Sequence, residues 1–152
     1  MRVHEGSLDG TGLRFAVIAS RFNDTVVTRL VDGATSCLTK HGVAEENIDV
    51  YWVPGAWEIP LVAKRLAEAG EIDAVVALGL VVRGQTAHFD YVAGESAAVG
   101  RVALETGIPM SFGVLTTETW EQATDRSGGK LGNKGWEAAI AALETTTLLR
   151  DL

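Results

Sequence analysis

The sequence predicts an α/β protein, a three-layer α/β/α sandwich around a four-stranded parallel sheet, on three observations. Ala74–Val82 is a continuous apolar run with no polar alternation, as suits a strand buried on both faces. Strand-like and helix-like segments alternate along the chain, which implies right-handed βαβ crossovers and a parallel sheet covered on both sides. Polar, glycine-containing sequence begins abruptly at Arg83, where the apolar run stops. At 152 residues the chain is expected to form one domain, residues 1–152, large enough to bury a real core.

In chain order, Leu13 to Ala19 is the first predicted strand. Arg21-Phe22-Asn23-Asp24 follows, where Asn23 or Asp24 can cap a helix running to about His41, and Gly42 stops it. Ile48 to Val53 is the second strand. Pro54-Gly55-Ala56 turns into a helix from about Trp57 to Ala69, with Pro60 tolerated in its first turn and Gly70 as the stop. Ala74–Val82 is the third strand, and a helix from about Phe89 to Thr106 follows it. Met110 to Leu115 is the fourth strand and Thr117 to Asp125 a short helix. Asn133 to Arg150 is a closing helix with Trp136, Ile140 and Leu143 on one face. Met1 to Glu5 is extended and has no place in a four-stranded parallel sheet, so it is expected to join the sheet of a neighbouring subunit.

Composition narrows the function. Apolar residues make up 47% and charged residues 22%, a globular balance, and the longest apolar run is about half of a membrane span. With no basic, apolar and cleavable leader, no membrane association is expected and a cytoplasmic home is the default. A net charge of −7 repels a nucleic-acid backbone, and the basic residues are not clustered enough to offset it. Arg126, Lys130 and Lys134, interleaved with glycines, suit a small anion better than a polymer. Cys37 is the only cysteine, which excludes an internal disulfide, and its helical register with Leu30, Val31 and Ala34 suits a buried filler. Neither a dinucleotide fingerprint nor a metal-ligand cluster is present, so no cofactor and no metal are expected. Arg126 to Gly135 is glycine-rich but is not a Walker motif, because leucine follows Lys130 and glycine follows Lys134. It reads as a flexible joint between helices.

Ligands of open α/β sheets bind beyond the carboxyl ends of the strands, and the candidate residues fall there. Phe22, after the first strand, can stack on a planar ligand or pack over the end of the sheet. After the second strand, amides around Ala56 and Trp57 can bond ligand oxygens and Glu58 can accept from hydroxyls; an ordinary acidic first turn is the plainer reading. After the third, Gly84-Gln85-Thr86 offers N–H groups and a hydroxyl that suit either a phosphate or a structural turn. Histidine can pass protons both ways near neutral pH, which makes His88 the acid–base candidate over His41 at a helix end and His4 in the amino-terminal arm. The four lysines fall on predicted helices or loops, so any imine chemistry must draw its amine from a substrate.

Several of these segments share a wider pattern. Arg21-Phe22-Asn23, Val53-Pro54-Gly55-Ala56-Trp57-Glu58-Ile59-Pro60, and Arg83-Gly84-Gln85-Thr86 with His88-Phe89-Asp90-Tyr91 form its first half. Phe112-Gly113-Val114-Leu115-Thr116, and Glu121-Gln122-Ala123 through Arg126 to Asn133-Lys134-Gly135, form the second. In this order, over essentially the whole chain, they resemble the 6,7-dimethyl-8-ribityllumazine synthase family. The resemblance implies a transferase that condenses 5-amino-6-ribitylaminouracil with 3,4-dihydroxy-2-butanone 4-phosphate, without a cofactor, in the penultimate step of riboflavin biosynthesis. It also implies a flavodoxin-like strand order. By resemblance, Phe22 stacks on the pyrimidine, Val81 and Val82 line its site, and Ala56, Trp57 and Glu58 hold the ribityl chain. Gly84, Gln85 and Thr86 bind phosphate with Arg126, and His88 moves protons. Phe112, Arg126 and Lys134 reach the site from an adjacent subunit. The implied assembly is a homo-oligomer of pentamers packed into an icosahedral shell, with riboflavin synthase as a possible partner. The rival readings are a compartment scaffold whose activity no longer matters and a flavin-binding protein on the same fold, which has no need of the phosphate residues.

Overall fold

A computed structural model describes residues 1–152. Its main sheet has the order β2-β1-β3-β4 with every pairing parallel, where β1 is Phe15–Ser20, β2 Ile48–Val53, β3 Ala74–Val82 and β4 Met110–Thr117. The predicted three layers and flavodoxin-like order are both found. Side chains alternate across a strand, so consecutive residues enter different cores. Phe15, Val17 and Ala19 join Val76 and Leu78 in the core shared with helices α1 (Asp24–Lys40) and α6 (Lys134–Arg150). Ala16 and Ile18 join Val75 and Ala77 in the core shared with α2 (Ile59–Ala69) and α4 (Val99–Thr106). This double coverage is why β1 and β3 are apolar throughout, apart from Ser20 at the end of β1. The other elements are α3 (His88–Ser96), α5 (Trp120–Asp125) and a small hairpin of β5 (Ser127–Gly129) and β6 (Gly132–Asn133).

From β1 the chain crosses outward to β2, then returns past β1 to β3. Strand order therefore reverses between β1 and β3. Loops leaving the two strands diverge there, and such a switch point opens a crevice at the carboxyl ends of the strands.

The structure departs from three expectations. Asn23 occupies the N-cap position of α1, but its side chain makes no capping bond. It sits in the left-handed region at φ 66°, and its Nδ2 donates across the sheet end to the Leu80 carbonyl at 3.0 Å. The helix expected over Phe89–Thr106 is broken into α3 and α4. At the break Ala98 N–H bonds Glu95 O at 2.9 Å and Gly100 N–H bonds Ala97 O at 3.1 Å, tightening the backbone to i→i−3 bonds. Ser96 Oγ adds a bond back to Ala93 O at 2.9 Å, a contact that bends helices.

The Arg126–Gly135 joint is an antiparallel hairpin rather than a flexible link. Asn133 Oδ1 accepts from the N–H groups of Gly135 and Trp136 to cap α6, while its Nδ2 donates to Arg29 O at 2.9 Å. Gly135 lies against the Leu30 carbonyl of α1, too close for any Cβ. Met1–Glu5 is exposed and forms no strand within this chain. Beyond it, Thr147 Oγ1 on α6 accepts the Ser7 N–H at 2.8 Å. No helix is long and apolar enough to cross a membrane.

Candidate active site

β1, β2 and β3 end side by side, and the segments leaving them enclose a cavity of about 950 Å³, at the upper end of the range for small-molecule sites. Backbone bonds hold its rim together. Arg21 N–H to Val53 O at 2.7 Å and Phe22 N–H to Pro54 O at 3.0 Å join the first two loops, and Arg83 N–H to Thr117 O at 2.8 Å ties the end of β3 to β4.

Phe22 forms one wall. It is 73% exposed while lining the cavity, so it is not packed over the end of the sheet and its ring is open to stacking. The left-handed turn at Asn23, pinned to Leu80, redirects the backbone immediately after it. The second loop contributes Ala56, Trp57 and Glu58, a single 3-10 turn ahead of α2. Glu58 Oε2 accepts the Gly55 N–H at 2.9 Å, so the plain first-turn role holds. Its Oε1 has no hydrogen-bond partner within the chain, and the residue also lines the cavity.

Val81 and Val82 continue the lining from the end of β3, followed by Gly84, Thr86 and His88. This third loop is polar and exposed, and Thr86 Oγ1 accepts from His88 N–H at a long 3.5 Å. His88 opens α3, one residue earlier than expected. Above the loop Arg83 is held on three sides. Its Nε meets Glu118 Oε2 at 2.8 Å, its Nη1 meets Asp90 Oδ1 at 3.3 Å, and its guanidinium carbon lies 4.3 Å from the centre of the Phe89 ring. The bond to Glu118, with help from the charges of Glu118 and Asp90, pushes the Arg83 pKa above its ordinary value.

Four expected residues lie outside this cavity. Gln85 is exposed beside it, and Phe112 is on β4 opposite Ala77 in register. Arg126 and Lys134 are also outside, yet the hairpin brings them together, with Lys134 N–H bonded to Arg126 O at 2.8 Å. Arg126 Nη1 donates to Gln122 O at 3.0 Å, and Lys134 Nζ pairs with Glu137 at 2.8 Å. Conversely, Asn23, Arg83, Phe89, Tyr91 and Trp120 line the cavity although sequence reasoning gave them no site role. Position just beyond β1 or β3 was the available signal for Asn23 and Arg83. For Trp120, in a helix after the fourth strand, only the fold supplies one.

An aromatic wall, a carboxylate and a bare polar loop with a histidine can hold a planar polar molecule beside an anion and move protons between them. No three His, Cys, Asp or Glu side chains are grouped as a metal site requires. The family model described as 6,7-dimethyl-8-ribityllumazine synthase matches residues 12–150. A protein of that name from Clostridium kluyveri is 50% identical over 153 residues, covering 100% of this chain and 99% of the relative. Another of that name, from Chloroherpeton thalassium, is 52% identical over 149 residues, covering 97% of this chain and 96% of the relative. With a match of this extent and a cavity lined by segments from three strand ends, the chain belongs to the 6,7-dimethyl-8-ribityllumazine synthase family.

Proposed function

We propose that this chain condenses 5-amino-6-ribitylaminouracil with 3,4-dihydroxy-2-butanone 4-phosphate to 6,7-dimethyl-8-ribityllumazine, releasing phosphate and water. The reading rests on one observation: Phe22, the Ala56–Glu58 turn, and Gly84, Thr86 and His88, from three strand ends, meet in a single cavity. In this reading Phe22 stacks on the pyrimidine beside Val81 and Val82, and Ala56, Trp57 and Glu58 take the ribityl hydroxyls. Gly84, Gln85 and Thr86 cradle the phosphate. His88 passes protons as the imine forms and phosphate leaves. The amine and the ketone both arrive on substrates, so the reaction calls for no cofactor. Holding the two together supplies most of the acceleration, with acid–base help worth about 10²- to 10⁴-fold.

The finer proposal is that the site is shared between subunits of a pentamer, with pentamers packed into an icosahedral shell. Phe112, Arg126 and Lys134 then serve a neighbour's cavity. Their position outside their own, and the pairing of the two cations at one hairpin, support this reading. Met1–Glu5 is free to join a neighbour's sheet, and the β2 edge offers exposed Val50 and Trp52. A cytoplasmic location and riboflavin synthase as a partner belong to the same proposal.

The test is to mix the purified chain with both substrates and follow the lumazine absorption band. Lumazine is expected to form. His88→Ala is expected to slow turnover while sparing binding, and Arg126→Ala to weaken the phosphate substrate alone. No lumazine from the intact chain refutes the activity, and unchanged kinetics in both variants refutes the site.

A further inference from the structure

The segment carrying His88 has little holding it. Gly84–Ala87 is tied only to the start of α3, Thr86 Oγ1 accepting the His88 N–H at a long 3.5 Å and Ala87 O accepting the Asp90 N–H at 3.0 Å, and Ser96 alone among the residues of α3 is buried. What spans its two ends is Arg83. The Arg83 backbone is fixed to Thr117 on β4, and its side chain reaches Glu118 on one side and Asp90, in the first turn of α3, on the other. Glu118 is a firm anchor: its N–H donates to Gln122 Oε1 at 2.9 Å, and Thr117 Oγ1 donates to Thr119 O at 2.9 Å, closing the corner between β4 and α5. Phe89, directly after His88, lies beneath the guanidinium.

We infer that Arg83 is a positioning residue for the reaction proposed above, bracing the first turn of α3 against the end of β4 and so setting where His88 and the Gly84–Thr86 amides stand. The inference rests on that reading of the site. With Nε and Nη1 both committed to carboxylates, the guanidinium is spent on the scaffold instead of on substrate phosphate. The side chains of Arg83, Asp90 and Glu118 are 40%, 61% and 60% exposed, and ion pairs so exposed add little to global stability. Losing the brace therefore leaves the chain folded and disturbs the loop. A fork is required: lysine keeps the charge but cannot meet two carboxylates in one plane.

The test is steady-state kinetics of Arg83→Gln, Arg83→Lys and Asp90→Asn beside the intact chain, with the unfolding midpoint of each. Arg83→Gln is expected to lower kcat roughly 10- to 100-fold, as small misplacements of catalytic groups do, with the KM for the pyrimidine within about twofold and the midpoint unmoved. Arg83→Lys and Asp90→Asn are expected to fall between. A raised KM for the phosphate substrate at intact kcat, restored by lysine, makes Arg83 a phosphate ligand and overturns the inference. Unchanged kcat in Arg83→Gln and Asp90→Asn also overturns it, and Asp90→Asn decides alone if Arg83→Gln does not fold. An inactive intact chain refutes the activity itself, which keeps the two failures apart.

Discussion

Asn23 holds Phe22 at the cavity by two means that substitution can separate. Asn23→Ala removes the 3.0 Å bond from Nδ2 to the Leu80 carbonyl, a loss of about 1 kcal/mol. It also forces a Cβ-bearing residue without a local polar partner to stay at φ 66° and ψ 40°, which costs about 1–2 kcal/mol. Asn23→Gly loses the same bond but accepts that backbone freely, its penalty being the extra entropy of the unfolded chain, about 0.5–1 kcal/mol. Alanine is therefore expected to cost about 2–3 kcal/mol and glycine about 1.5–2 kcal/mol. Denaturant midpoints of the two variants, measured in parallel, resolve that gap. Both are expected to raise the KM for the pyrimidine, because Phe22 loses its anchored neighbour. Glycine destabilising as much as alanine refutes the conformational half of the reasoning, and an unchanged KM in both refutes the link to Phe22.

Other consequences are testable together. If the site is shared, refolding His88→Ala and Arg126→Ala subunits together in equal amounts is expected to restore about a quarter of the intact activity from hybrid sites, assayed with the phosphate substrate well below its KM; no recovery in mixed assemblies places both residues in one subunit's site. Gly135→Ala would drive a Cβ into the Leu30 carbonyl and is expected to destabilise the α1–α6 contact by about 1–3 kcal/mol, read by thermal unfolding. Burial pushes the Cys37 thiol up to about 11 from an ordinary 9.0, so the unfolded chain loses this proton first. The stability it contributes is full below about pH 9 and fades as pH rises towards 11. Urea midpoints of Cys37→Ala are expected to decline less over that window than those of the intact chain.

β3 was legible to the residue because a strand buried on both faces has no polar positions, and Arg83 ends it with a change of composition. β2 was equally clear between Asn47 and Pro54, and position after β1, β2 and β3 made Phe22, Glu58 and His88 candidates, with packing over the sheet end left open for Phe22 and an ordinary first turn the plainer reading for Glu58. The break between α3 and α4 was not legible, since Glu95-Ser96-Ala97-Ala98 continues a helical composition and local i→i−3 bonding decides the kink. Nor was the hairpin: glycines at 128 and 132 read as flexibility until Asn133 and Gly135 are seen pressed against Arg29 and Leu30 of α1.

By itself, then, the sequence determined the βαβ alternation, the strand ends, the motifs that mark the family, and about half of the residues that line the cavity. These are encoded by hydrophobic period and by local residue chemistry, which neighbours in the chain carry. Only the tertiary structure decided that Asn23 reaches Leu80, that Arg83 binds Glu118 and Asp90, and that Arg126 and Lys134 stand side by side outside their own cavity. Asn23 with Leu80 and Arg83 with Glu118 join residues far apart in the chain, and Asp90 and Lys134 meet their partners only once a helix start and a hairpin have formed. No periodicity records such contacts. They exist because the strand order reverses at β1 and β3 and the ends of four strands lie side by side.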